Sequence, residues 1–270
     1  MNKYYTFLAL IVTIALVFHF SRNTYATALE IDTITNNITN ILNDLKNKFN
    51  AVEGIDAIST TNYANTRLEY YYYIPKKILN SPTHSAPLLA VIPGLSGRGE
   101  LTVTQPYKDF AEKEGFIIVS PSFMEDTKNW DSRTSYQYPE AWSGEAFNRI
   151  INSLSSKNVV PEKLYLIGMS AGAQFASRYA LIYPDLVAAC AFHASGGDAY
   201  PERYSKVKFF ITVGTKDIDY RKTHAVIFYN AARQLNMYAI YREYNVGHEL
   251  SLAQMNDSFE FFRQARSSQT

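Results

Sequence analysis

The segment 164–185, LYLIGMSAGAQFASRYALIYPD, sets a serine between two glycines as Gly168-Met169-Ser170-Ala171-Gly172. A serine hydroxyl attacks a carbonyl carbon effectively only when a base takes its proton and donors receive the oxyanion. The Gly-x-Ser-x-Gly pattern is weak by itself. At glycine and serine usage of about 7% each, a chain of this size holds one by chance with a probability of roughly 0.1. The context is stronger. KLYLIG reads as a buried strand, and AGAQFASRYALIY as a helix stopped by Pro184. A strand-to-helix reversal at a serine needs a sharp, strained turn, which exposes the hydroxyl at the C-terminal edge of the sheet. The two glycines have no side chains to collide there. Ala171 N–H then opens a helix, where it can hold an oxyanion.

Five histidines are available as the base. His19 lies in the apolar leader, His84 precedes a strand at its wrong end, and His224 falls in a helical run. His193 ends a strand. His248 sits in the short loop NVGHEL, after the strand MYAIYREY and before the last helix. A loop at the C-terminal end of a late strand is where a base must hang to reach Ser170, so His248 is the predicted base. GHEL also begins like a zinc-protease His-Glu-x-x-His, but no second histidine follows, and no metal or cofactor is expected. The orienting acid comes from FFITVGTKDIDY, where Asp217 and Asp219 both follow a strand end. Asp217 is the nearer and is preferred; Asp219 remains open, since a helix start also favours aspartate.

These residues require a scaffold that brings strand ends to one edge. From Ile55 onward the pattern supplies it. DAISTT and TRLEYYYYIP form a hairpin around NYAN, and the strands PLLAVIPG, FIIVSPSF, KLYLIG, LVAACAFHASGG, KVKFFITVG and MYAIYREY then alternate with amphipathic helices. Continuous apolar strands separated by helices predict an α/β fold, a mostly parallel sheet with helices on both faces. About a dozen residues separate AFHASGG from KVKFF, so there is no large lid insertion and an open cleft is expected. NWDSRTSYQYPEAW follows a strand to the same edge as Ser170. Its Trp130 and Trp142, with His193, are candidates for substrate contact, and pinning of a long loop is the other use of such aromatics.

The order Ser170, Asp217, His248 is that of the α/β-hydrolase triad. With YYYYIPK, APLLAVIPGLSGRG, FIIVSPSF, FFITVGTKD and VGHEL, the chain from about Arg67 onward resembles that superfamily. Within it, the chain is similar to exported serine esterases of the polyhydroxybutyrate-depolymerase, feruloyl-esterase and dienelactone-hydrolase-like group. The resemblance implies a Ser-Asp-His triad, an acyl-enzyme and carboxylic ester hydrolysis. It also implies a second oxyanion amide after the glycine of IPGLSG, at Leu95, although Pro93 stands where the group usually has histidine. The other readings are a serine peptidase on the same fold and a non-catalytic exported binding protein.

Composition bounds the rest. The chain has 270 residues, 47% of them hydrophobic, and a formal net charge of +1, enough for one catalytic domain over 55–270. Near-neutral charge argues against a nucleic-acid partner, and the resemblance implies a small-molecule or polymeric ester substrate. The one cysteine, Cys190, lies in the apolar run LVAACAF and reads as a buried thiol. The short positive MNK, the apolar YYTFLALIVTIALVFHF and the small residues Ala26-Thr27-Ala28 predict a signal peptide over 1–28 and a periplasmic or extracellular protein. Retention of that segment would instead make it a membrane anchor. Residues 29–54 carry an apolar stripe from Ile31 to Phe49 and read as an amphipathic helix or a spacer.

Overall fold

Eight strands form one sheet in the computed structural model, which describes residues 36–37, 51–60, 67–95, 97–123 and 134–268. The chain divides at Phe49/Asn50, and the sheet belongs to the second unit, Asn50–Thr270. The strands are β1 (Val52–Ser59), β2 (Arg67–Ile74), β3 (Ser85–Ile92), β4 (Ile117–Pro121), β5 (Val160–Met169), β6 (Val187–His193), β7 (Lys208–Gly214) and β8 (Ala239–Tyr244). Their spatial order is β1-β2-β4-β3-β5-β6-β7-β8. β1 pairs antiparallel with β2, and β2 with β4; every neighbour from β4 to β8 is parallel.

The predicted hairpin is present, but its first strand spans Val52–Ser59 rather than the DAISTT of residues 56–61, because Val52–Gly54 pair with Tyr72–Ile74. The expected signal segment 1–28 and most of the predicted helix or spacer 29–54 lie outside the described residues. Asn36 and Asn37 are helical and exposed. Among the described residues, no helix is long and apolar enough to cross a membrane.

The longer helices are α1 (Gln105–Glu114), α2 (Gly144–Ser153), α3 (Ala171–Ile182), α4 (Asp219–Gln234) and α5 (Leu252–Ser267). Each lays an apolar stripe on the sheet. Phe147 and Ile150 of α2, Phe175 and Tyr179 of α3, and Phe228 of α4 pack on one face. Phe110 of α1 with Phe259 and Phe262 of α5 cover the other. Period-two alternation splits the tyrosine run accordingly: Tyr70 joins the first face, Tyr71 and Tyr73 the second. Their hydroxyls reach partners at the rim, Tyr70 with Ser153 at 2.8 Å and Tyr73 donating to Glu112 at 2.8 Å. The run is therefore sheet packing with polar tips. Cys190 is fully buried on β6, and burial pushes its thiol pKa up.

Parallel pairing from β3 to β8 sends the loops after these strands to one edge. Residues 194–207, between β6 and β7, contain neither helix nor strand. That edge carries Ser170, Asp217 and His248.

Candidate active site

Ser170 occupies the turn between β5 and α3 with φ 57° and ψ −121°. A left-handed φ at a non-glycine residue costs about 1–3 kcal/mol and persists only where its surroundings impose it. Here Ser170 N–H donates to His193 C=O at 2.9 Å, and Ser170 C=O accepts the Gln174 N–H at 3.1 Å as α3 begins. The glycines are required by close approach. A Cβ on Gly168 would collide with the Gly172 carbonyl, and one on Gly172 with the carbonyls of Ile92 and Pro93. The turn is thus wedged against the end of β3, and Ala171 N–H stands in the first turn of α3, where no helical carbonyl receives it.

His248 and Asp217 arrive on two adjoining loops. β7 ends at Gly214, directly beneath the backbone of Val246 and Gly247, where a side chain would collide with their carbonyls. Thr215 N–H donates to Tyr244 C=O at 2.7 Å and Lys216 N–H to Val246 C=O at 3.0 Å, so the two loops are stitched together. The outcome is a continuous line of contacts. His248 Nε2 lies 2.9 Å from Ser170 Oγ, and His248 Nδ1 lies 2.9 Å from Asp217 Oδ2.

The two candidate acids separate cleanly. The Asp217 side chain is 2% exposed, whereas that of Asp219 is 96% exposed and pairs with Lys222 at 2.8 Å. The structure brings Asp217, not Asp219, to His248. Asp217 Oδ1 accepts the Ile218 N–H at 2.8 Å and an Arg221 Nη1–H at 3.1 Å. Burial pushes the Asp217 pKa up. The hydrogen bonds from His248 and Ile218, with the charges of His248 and Arg221, outweigh burial and hold it below its ordinary value. Arg221, in the first turn of α4, carries no signal that singles it out from sequence alone beyond its i,i+4 spacing from Asp217.

The loop after β3 closes the opposite side. Gly97 N–H donates to Gly94 C=O at 2.9 Å in a tight turn that carries Leu95, which is exposed. Buried Tyr136 donates its hydroxyl to Pro93 C=O at 3.0 Å, fixing the base of that turn. A Cβ on Gly94 would lie 3.8 Å from Met169 C=O, so the turn flanks the serine bend.

Two expected substrate contacts are corrected. His193 is 0% exposed and its ring is enclosed by Thr212 and Ser258; only its carbonyl reaches the site, through Ser170 N–H. Trp142 is buried edge-on against Phe123 and donates Nε1–H to Thr134 C=O at 2.9 Å. It pins the loop. Trp130 lies outside the described residues. Arg178 of α3 extends the pinning. It donates to Gln137 C=O and Gln174 Oε1, each at 3.0 Å, pairs with Asp198 at 3.1 Å, and lies 4.2 Å from the Tyr138 ring centroid. One buried guanidinium so ties the aromatic loop and the 194–207 loop to the helix that follows Ser170.

Solved structures share this arrangement of strands and helices. A ferulic acid esterase superposes with a TM-score of 0.60 at 15% identity, covering 80% of this chain and 97% of that one. An S-formylglutathione hydrolase from Agrobacterium tumefaciens gives 0.60 at 13% identity, covering 80% and 95%. The chain has the α/β-hydrolase fold. No family model matches this α/β-hydrolase-fold chain. Acetylxylan esterase A of Talaromyces purpureogenus is 27% identical to it over 132 residues, 47% of this chain and 33% of the relative. The match thus spans about a third of that curated relative's length.

Proposed function

We propose that this protein is a serine hydrolase of carboxylic esters, acting through Ser170, His248 and Asp217. The observation that carries the reading is the unbroken line from Asp217 Oδ2 to His248 Nδ1 and from His248 Nε2 to Ser170 Oγ, each contact 2.9 Å. It starts from a serine held in a left-handed turn.

The chemistry follows from the geometry. A serine hydroxyl is a weak nucleophile until its proton has somewhere to go, and His248 Nε2 accepts it as Ser170 Oγ bonds to the ester carbon. Asp217 keeps the His248 Nδ1–H pointed inward, leaving Nε2 bare, and stabilises the imidazolium that forms. Its depressed pKa keeps it charged for that task. The amides of Ala171 and Leu95 bind the oxyanion, one from the α3 N-terminus and one from the Gly94–Gly97 turn. His248 then returns the proton to the departing alcohol. Water, deprotonated by the same imidazole, releases the acid and regenerates Ser170.

The acid product comes from an exported catalytic domain in this reading, with residues 1–28 as the leader. The similarity to an acetylxylan esterase directs the first substrates. Acetylated xylan, feruloyl esters and p-nitrophenyl esters of increasing acyl length are compared, with the matching amides and Ser170→Ala as controls. Ester turnover that vanishes in Ser170→Ala supports the reading. Turnover of amides alone, or activity retained in the variant, removes it.

A further inference from the structure

Beneath the site lies a closed polar network that the reaction does not touch. It joins β6, β7 and the start of α5. Ser251 caps α5: its hydroxyl accepts the Gln254 N–H at 3.4 Å, while Ser251 N–H and its hydroxyl both donate to Gln254 Oε1, at 2.9 and 2.8 Å. Because Ser251 N–H can only donate, the amide oxygen of Gln254 must face it, and the Gln254 NH2 faces the sheet. There it donates to Thr212 Oγ1 at 2.9 Å. Gln254 is fully buried, and both ends of its amide are occupied.

The remaining protons fall into place by the same accounting. Ser258 donates its hydroxyl back to Gln254 C=O at 2.7 Å, so it accepts from His193 Nε2–H at 3.2 Å. His193 Nδ1 is then bare and accepts the Thr212 hydroxyl at 2.6 Å. Each member has one role, and the loop of contacts closes. Thr212 is its hub: it carries the only bond by which the Gln254 side chain holds the sheet among the described residues.

This network stands at both ends of the catalytic line. Ser251 is three residues beyond His248, and Thr212 is five residues before Asp217 on β7. His193, on β6, gives its carbonyl to Ser170 N–H. The near half of the His248 loop is held by Lys216 N–H on Val246 C=O; the far half meets its first anchor at Ser251. We propose that the Thr212–Gln254 contact is a positioning device. It ties the far end of the base loop to the strand that carries the acid, and so sets where His248 hangs over Ser170. The proposal rests on His248 being the base.

The test uses the isosteric Thr212→Val and the hydroxyl-retaining Thr212→Ser in the full chain. Thr212→Val deletes the hub hydroxyl and Thr212→Ser keeps it. Each is read by the rate constant of fluorophosphonate labelling, by kcat and KM on an ester, and by the proton resonance of His248 Nδ1–H, well below the melting temperature. A small displacement of a catalytic group costs on the order of 10- to 100-fold. Thr212→Val is expected to lose that much in labelling and kcat with KM held, and to shift the resonance; Thr212→Ser is expected to restore all three. A folded Thr212→Val with the wild-type labelling rate and resonance overturns the proposal, even if its melting temperature falls. Should Thr212→Val not fold, Gln254→Met removes the side-chain amide that makes both ends of the tie. It is expected to move the same readings in the same direction, and unchanged readings overturn the proposal. Failure of the wild-type protein to label at Ser170 is a different result. It removes the hydrolase reading, while the resonance still reports whether the tie places His248.

Discussion

His248 and His193 stand on neighbouring layers of the same edge and do opposite things. The His248 side chain is 34% exposed, with a charged carboxylate at one nitrogen and a hydroxyl at the other. His193 is fully enclosed, and its ring nitrogens meet only hydroxyls. A carboxylate partner stabilises an imidazolium, and the proposed mechanism has the first ring take and return the serine proton. Without such a partner, burial pushes the His193 pKa down to about 3, and the ring stays neutral. An imidazole becomes a base through the charge and access around it; the same ring in a dry site serves as a strut.

The largest test of that contrast is removal of the proton acceptor. His248→Gln should lower ester turnover on the order of 10⁶-fold while leaving the melting temperature close to wild type, as measured by progress curves and thermal unfolding. Turnover near wild type would mean that another group takes the proton. Next is the carboxylate that distinguishes the two rings. Asp217→Asn should cost on the order of 10⁴-fold in kcat, because the amide no longer fixes the Nδ1–H tautomer. Asp219→Asn should cost nothing measurable, since that residue pairs with Lys222 in solvent. Equal losses in both would erase the distinction between the two acids.

The smallest effect concerns His193. Its folded pKa lies below its ordinary value of 6.5, so between pH 6.5 and about 3 the unfolded chain binds the extra proton. Stability contributed by the neutral ring is therefore complete above pH 6.5 and declines as pH falls through that window, by at most about 1.4 kcal/mol per pH unit. Urea unfolding at pH 7, 6 and 5 should show this slope in wild type and a flatter one in His193→Gln. Parallel slopes would mean that His193 is protonated in the folded state.

Much of this architecture is legible in the chain. Continuous apolar runs announce the parallel strands, and KLYLIG followed by AGAQFASRYA announces the bend at Ser170. Asp217 and His248 are found because each follows a strand that must end at the same edge. What the sequence conceals is which side chains the fold buries. Trp142 and His193 look available in a linear reading because each follows a strand toward that edge, yet packing on Phe123 encloses one and the start of α5 encloses the other. The clamps are hidden for a related reason. Arg178 reaches Gln137 and Asp198, residues 41 and 20 positions away. Gln254 reaches Thr212 across 42 positions, although Ser251-x-x-Gln254 does carry the local signature of a helix cap. Local pattern reveals the cap; only the folded sheet reveals what the cap is tied to.

The central claim is that Ser170 Oγ is the group that is acylated. Intact-protein mass spectrometry after treatment with a fluorophosphonate, followed by peptide mapping, tests it most directly. A single adduct on Ser170, absent in Ser170→Ala and strongly slowed in His248→Gln, is the predicted result. An unmodified Ser170, or an adduct that forms equally fast without His248, would contradict it.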